Sequence, residues 1–362
     1  MHKILFLILL LPLVAFPHEL TALQPQPVNK QQDIQLAMDS VIVPFMKRKE
    51  IPGVAIALYC EDEGGTICYG FTSTKKTNKI TSHTLFEIAS ITKVFTSTDL
   101  ALEVQQGKML LQDPITLYLP TMNFRRGAIN NVTLQDLATH TSGLPKSAFA
   151  RSGALIKDQE QLIEFLQDWR PDAPIGSEYV YSNLGFGLLG FALEDTQNSS
   201  YEQLITKDLL KPLHMDSTMV AVPASLMNLY AQGYSKEGNP VLPSKKSIIP
   251  ASGALRSTAF DMLQFLKANL DVEGPSQIRQ AMQMAQKGYY RINDTLTMGL
   301  GWQRVHLSHI TIVEKLGGAG GFSSYIGMVP EKKLGIVILA NRARVNCIEV
   351  GRFLLTHLAK QE

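Results

Sequence analysis

Residues 86–97 read FEIASITKVFTS, and inside this apolar run a serine, Ser90, stands three positions before a lysine, Lys93. Neither suits a protein interior. A buried ammonium loses hydration worth several kcal/mol unless something pairs with it. Phe86, Ile88, Ile91, Val94 and Phe95 recur at helical spacing, which predicts a helix with one face in the core. Ser90 and Lys93 are then i and i+3 on that helix, and so are neighbours.

Working outward, the hydrophobic period changes along the chain. Residues 52–75 alternate like strands, residues 87–210 are mostly helical in pattern with Pro and Gly punctuation, and residues 296–342 return to strands. The final CIEVGRFLLTHLAK carries a helical stripe. Strands from both ends of the chain are therefore expected to share one sheet. The predicted fold is α/β (α+β type), with that sheet and a helical middle lobe. Residues 23–85 and 211–362 form its sheet domain, and 86–210 are inserted as an all-helical lobe. In GVAIALYCEDEGGTICYG two β-rich runs flank acidic and glycine residues and read as a hairpin. A three-residue loop at Glu63–Gly65 would set Cys60 opposite Cys68, which is the expectation for a disulfide that leaves Cys347 single.

The chain has 362 residues, 45% hydrophobic and 18% charged, which is enough for two domains. Its net charge of +2 and lack of a basic run exclude a nucleic-acid footprint. The N-terminus differs from the rest: Lys3 precedes an apolar run from Ile4 to Phe16, too short for the ~20 residues that span a bilayer. That is the shape of a secretory signal, read as residues 1–22 with cleavage near Ala22. No second long apolar segment follows. The expectation is a periplasmic or secreted monomer with no stable membrane insertion after cleavage.

A search for chemistry first eliminates. No G-x-S-x-G elbow surrounds any serine. His18-Glu19 begins a zincin motif, but its fifth position is Ala22, and His306 with His309 is not metal-ligand spacing. GGAGG at 317–321 lacks the third glycine of a dinucleotide loop and no P-loop lysine follows. No metal or cofactor is expected. Three short motifs remain in order: Ser90-Ile-Thr-Lys93, Tyr181-Ser182-Asn183 and Lys315-Leu316-Gly317. Each alone is common. Tyr-Ser-Asn, for instance, also reads as a helix N-cap on Ser182 or Asn183.

Their order, together with LQDLATHTSGLP, LLKPLHMDSTMV, GALRSTAFDMLQFLKANL, MGLGWQ and YIGMVPEKKLGIVILANR, resembles the serine β-lactamase and penicillin-binding family, closest to class C β-lactamases, from about residue 30 to the C-terminus. The resemblance implies an antiparallel β-sheet flanked by helices, an inserted all-helical lobe (β-lactamase/transpeptidase-like), and an active site between sheet domain and lobe. It makes Ser90 the nucleophile, Lys93 and Tyr181 a shared acid/base system, Asn183 a donor to the substrate amide and Lys315 a charge for its carboxylate. The backbone N–H groups of Ser90 and Gly318 become an oxyanion hole, Asn346 lies near the carboxylate, and Tyr234 is an aromatic wall. The chemistry agrees: a serine hydroxyl needs a base, and Tyr181 between two ammonium groups would have its anion favoured.

Four positions depart from the family pattern. Ala89 replaces a glycine, Thr92 a serine or alanine, Ser147 a glutamine, and Leu316 the threonine of K-T-G. The stretch from Trp302 to Lys315 is also short. The implied substrate is a small molecule, a β-lactam or a peptidoglycan-like D-Ala peptide. The alternatives on the same site are a D-alanyl-D-alanine carboxypeptidase, an esterase, or a non-hydrolysing penicillin-binding sensor.

Overall fold

In the computed structural model, which describes residues 30–360 apart from 123, 125–126 and 148–154, strands from both ends of the chain meet. The signal segment expected at 1–22 lies outside the described residues. In chain order the strands are β1 (Gly53–Cys60), β2 (Glu63–Gly70), β3 (Phe86–Glu87), β4 (Gly233–Tyr234), β5 (Pro240–Val241), β6 (Arg256–Ser257), β7 (Tyr290–Asn293), β8 (Leu296–Met298), β9 (Gln303–His306), β10 (Thr311–Gly318), β11 (Ser323–Val329) and β12 (Leu334–Ala340). The α-helices are α1 (Lys30–Lys49), α2 (Thr92–Gln105), α3 (Leu134–Thr139), α4 (Gln159–Asp168), α5 (Asn183–Gln197), α6 (Tyr201–Ile205), α7 (Ala259–Asn269), α8 (Ser276–Gln286) and α9 (Cys347–Leu358). Eight strands form one antiparallel sheet in the order β2-β1-β12-β11-β10-β9-β8-β7.

Both faces of this sheet are covered, which is why β1 reads as a continuous apolar run. Val54, Ile56 and Leu58 point to a core shared with α1 and α9 through Met38, Ile42, Phe45, Leu354 and Leu355. Ala55, Ala57 and Tyr59 point the other way, into a core continuous with the helical middle of the chain. β12 splits likewise, with Ile336 and Ile338 on the first face and Val337 and Leu339 on the second. One strand therefore ties two cores together. Among the described residues no helix is long and apolar enough to cross a membrane.

Two local expectations are corrected. The first hairpin turns at Glu61 and Asp62, both with positive φ (51° and 62°), as a two-residue loop whose twist matches its strands. Cys60 therefore pairs with Glu63, and Cys68 pairs with Ala55, five residues further along β1 or ~17 Å away. No disulfide joins Cys60 to Cys68. The second correction is at the opening stretch. Phe86–Glu87 is not helical but pairs with Arg256–Ser257, and the chain enters α2 only after a 3₁₀ turn at Ala89–Ile91.

Candidate active site

Ser90 sits in that 3₁₀ turn, and the turn is shaped by its neighbours. Ala89 has φ of 47°, the left-handed region where a family glycine would be unstrained. The turn is pinned on both sides: the Ile88 N–H donates to the Leu255 carbonyl, and the Ser324 hydroxyl donates to the Ile88 carbonyl at 2.8 Å. β10 crosses so close that a Cβ on Gly317 would stand 2.2 Å from the Ile88 oxygen, so only glycine fits there. This brings Lys315 and Gly318 alongside the serine.

Tyr181 and Asn183 arrive at the start of α5. Ser182 is the N-cap, its hydroxyl accepting from the Gly185 N–H at 2.9 Å and donating to the Pro145 carbonyl at 2.8 Å. The capping reading of Tyr-Ser-Asn and the functional one are thus both realised: Ser182 caps, and its two neighbours face the serine. The Ser182 N–H donates to Nδ1 of the buried His140, which places that ring's proton on Nε2. The imidazole lies 4.5 Å from the Tyr181 ring and is kept neutral by burial, reinforced by Lys315 and Lys93.

Around Ser90 the distances are short. Its Oγ is 2.7 Å from the Tyr181 oxygen and 3.3 Å from Lys93 Nζ. Lys93, fully buried, donates to Asn183 Oδ1 at 2.8 Å and to the Ser252 carbonyl at 2.5 Å. Ser252 reaches it because α5 carries Gly190, where a Cβ would meet the Ala251 side chain at 2.5 Å. Lys315 Nζ lies 5.3 Å from the centre of the Tyr181 ring and Lys93 Nζ 5.0 Å, on the one aromatic side chain they share.

The electrostatics overturn one expectation. Burial pushes Lys93 well below the ordinary lysine value, helped by Lys315 and Lys146, and pushes Lys315 down to about 7. Two firm ammonium groups therefore do not flank Tyr181. Its own pKa is raised by burial, with only the Ser90 hydrogen bond pulling the other way. The pull on Tyr181 is toward the neutral phenol and that on Lys93 toward the neutral amine. A neutral amine has two N–H bonds and one lone pair, and with Asn183 and Ser252 accepting the two, the lone pair remains for Ser90.

The other expected residues are placed differently. Asn346 caps α9: its side chain accepts from the Glu349 N–H at 3.3 Å and donates to the Glu349 carboxylate at 3.2 Å. Tyr234 is 3% exposed, and its hydroxyl accepts from the Thr74 N–H at 2.8 Å. Leu316 is 48% exposed on the rim of an open cleft along β10. The Ser252 carbonyl and the His140 ring were missed in the sequence: a backbone oxygen has no residue signature, and His140 lies within the quoted LQDLATHTSGLP without a spacing that marks it. Among the described residues no group of three or more His, Cys, Asp or Glu is placed to hold a metal ion.

Comparison with known proteins then adds to this geometry. The family model described as Beta-lactamase matches residues 38–358. A beta-lactamase of Pseudomonas fluorescens is 30% identical over 352 residues, covering 88% of this chain and 96% of that protein. A solved class C beta-lactamase in complex with cefoxitin superposes with a TM-score of 0.84 at 27% identity, covering 92% of this chain and all of that one (100%). The D-alanine carboxypeptidase AmpC from Burkholderia cenocepacia superposes with a TM-score of 0.82 at 28% identity, covering 90% of this chain and 99% of that one.

Proposed function

The chain belongs to the beta-lactamase family, and from that premise we propose that it is an exported serine hydrolase that opens β-lactam rings through an acyl-enzyme on Ser90. The observation that carries this is the placement of Ser90 Oγ, 2.7 Å from the Tyr181 hydroxyl and 3.3 Å from an amine whose remaining hydrogen-bonding directions are occupied.

In the proposed cycle Ser90 Oγ attacks the lactam carbonyl while its proton passes to Lys93 Nζ. The carbonyl oxygen takes the negative charge, held by the Ser90 and Gly318 N–H groups; preorganised donors of this kind are often the largest single contribution to such reactions. As the C–N bond breaks, Tyr181 gives its proton to the departing nitrogen and is reprotonated by the neighbouring Lys93 ammonium. The products are an ester on Ser90 and a neutral Lys93. Water, losing its proton to the same Lys93–Tyr181 pair, hydrolyses that ester and restores the hydroxyl. Lys315 attracts the substrate carboxylate, and Asn183 orients both Lys93 and the substrate amide. The substrate's acyl side chain enters the recess that begins at Asn183 and is lined by Leu155, Ile156, Leu184, Ile248 and Ile249.

A D-alanyl-D-alanine peptide presents the same amide and carboxylate, and the likeness to a D-alanine carboxypeptidase supports peptidase action as the second reading. Purified protein incubated with a chromogenic cephalosporin separates them. Many turnovers per molecule support the β-lactamase reading. A single stoichiometric burst, with release of D-alanine from a peptide, assigns the site to the peptidase.

A further inference from the structure

Beside β10 an open cleft is lined by Lys146, Lys236 and Arg344, from three separate segments, together with Leu316 and Gly318. We propose that Lys146, Lys236 and Arg344 form an anion-binding subsite that selects substrates carrying a second negative charge on the leaving-group side. This rests on the Ser90 hydrolase reading and deepens it.

Four observations support the proposal. First, no ion pair joins a carboxylate to any of the three cations among the described residues, whereas the neighbouring Arg342 is paired with Glu50. Second, the one acid lining the cleft, Glu237, is engaged with Ser235, whose hydroxyl donates to it at 2.9 Å. The Ser235 bond pulls its carboxyl below the usual range first, and Lys236 and Arg344 add to that, so both cations lie within electrostatic reach of this rim. Third, Arg344 holds a φ of 57°, a conformation that is costly for a residue other than glycine and is retained where the surroundings demand it. Fourth, the neutral donors that would hold a lone carboxylate here are missing: Leu316 has no hydroxyl, and Asn346 is committed to its helix cap.

The charge balance decides the ligand class. Lys315 already offers one positive charge next to Ser90, and a single carboxylate is met by it. Three further cations beyond it, set against the one carboxylate of Glu237, leave the cleft with a surplus of positive charge that fits a group bearing an additional carboxylate, sulfonate or phosphate. The side is decided by the recess at Asn183, which shares no residue with this cleft and joins Lys157 and Lys246 to six aliphatic side chains, where the β10 cleft has three cations beside glycines and small residues. An apolar acyl group belongs there and an anionic leaving group here.

The test uses aryl phenylacetate esters whose aryl ring carries no, one or two carboxylates, titrated against full-length Ser90→Ala protein so that binding is read without turnover. The dicarboxylate is expected to bind about tenfold tighter than the monocarboxylate at low salt, the size of one charge-assisted hydrogen bond, with the gain shrinking as salt rises. Adding Arg344→Gln and Lys146→Gln should bring the two affinities together, whereas Arg344→Lys should keep part of the gain. Equal affinities in the first protein, or a gain that survives neutralisation of both cations, would overturn the proposal. Failure of the wild type to hydrolyse cephalosporins would instead count against the β-lactamase reading and leave this binding series as decisive as before.

Discussion

Two buried charges lie one residue apart on β10 and face opposite sides of the sheet. Glu314 accepts from both the Tyr325 hydroxyl at 2.9 Å and the Arg352 guanidinium, which grips it with two nitrogens. Lys315, 3% exposed, meets no carboxylate among the described residues, and burial alone drives its pKa to about 7. The first charge is satisfied by the protein itself and belongs to the scaffold. The second, in the proposed function, is the one a substrate carboxylate satisfies. Strain follows the same division: the back of the sheet packs Tyr325 against α9 with its polar atom bonded, while the front holds a left-handed Ala89 and a buried Lys93 whose ammonium form burial disfavours around one hydroxyl.

The largest expected effect falls on the front. Lys93→Gln removes the lone pair aimed at Ser90 and should lower kcat/KM for a cephalosporin by about a thousandfold or more, measured by steady-state kinetics. A loss below tenfold would transfer the base to Tyr181.

Next come paired substitutions on either face. Glu314→Gln leaves Arg352 without its partner and should lower stability by about 2–3 kcal/mol, less than for a fully buried pair because Arg352 is 39% exposed. Lys315→Met should do the reverse, raising the unfolding temperature while weakening carboxylate substrates about tenfold. If both variants destabilise equally, the contrast between a scaffold charge and a ligand charge fails.

The same lysine has a pH signature. Below pH about 7 Lys315 is charged in the free enzyme, and above it the ammonium is lost, so kcat/KM for an anionic cephalosporin should fall as pH rises through 7. Stability moves oppositely: between about 7 and the ordinary 10.5 the unfolded chain binds the extra proton, so the contribution of Lys315 to folding improves with pH. Lys315→Arg cannot lose its charge and should remove the alkaline limb. A limb unchanged in that variant belongs to another group.

How much of this was legible in the sequence depends on whether a feature has a residue type. Serine, lysine, tyrosine and asparagine in apolar surroundings stand out, and the structure brings Ser90, Lys93, Tyr181, Asn183 and Lys315 to one place. The sheet was legible because β1 and β12 are apolar on both faces. Other features are carried by backbone or by register. The turn at Ala89 looks like helix because Ile88 and Ile91 keep helical spacing, yet the Leu255 carbonyl captures the Ile88 N–H and holds Phe86–Glu87 extended. Glycines at 64 and 65 suggest the hairpin loop, but the turn forms at Glu61-Asp62 and the glycines lie in the strand, moving Cys68 away from Cys60. The tyrosinate expectation runs against the raised Tyr181 pKa for a related reason: counting two lysines as two fixed charges ignores that burial lowers the pKa of both and raises that of the phenol.

The smallest expected effect is at the rim. Leu316→Thr restores a hydroxyl beside the substrate carboxylate and should raise cephalosporin turnover relative to simple ester turnover by about tenfold. An unchanged ratio would show that Lys315 and the cationic cleft already supply that contact.

The central claim, a covalent acyl-enzyme on Ser90 released by its lysine–tyrosine pair, is read most directly by intact mass spectrometry during cephalosporin hydrolysis. Wild type should show a transient adduct, Tyr181→Phe should both form and release it more slowly because acylation loses its proton donor and ester hydrolysis its relay, and Ser90→Ala should show neither adduct nor turnover. An adduct of the same mass on Ser90→Ala, or turnover within tenfold of wild type in that variant, would contradict the account.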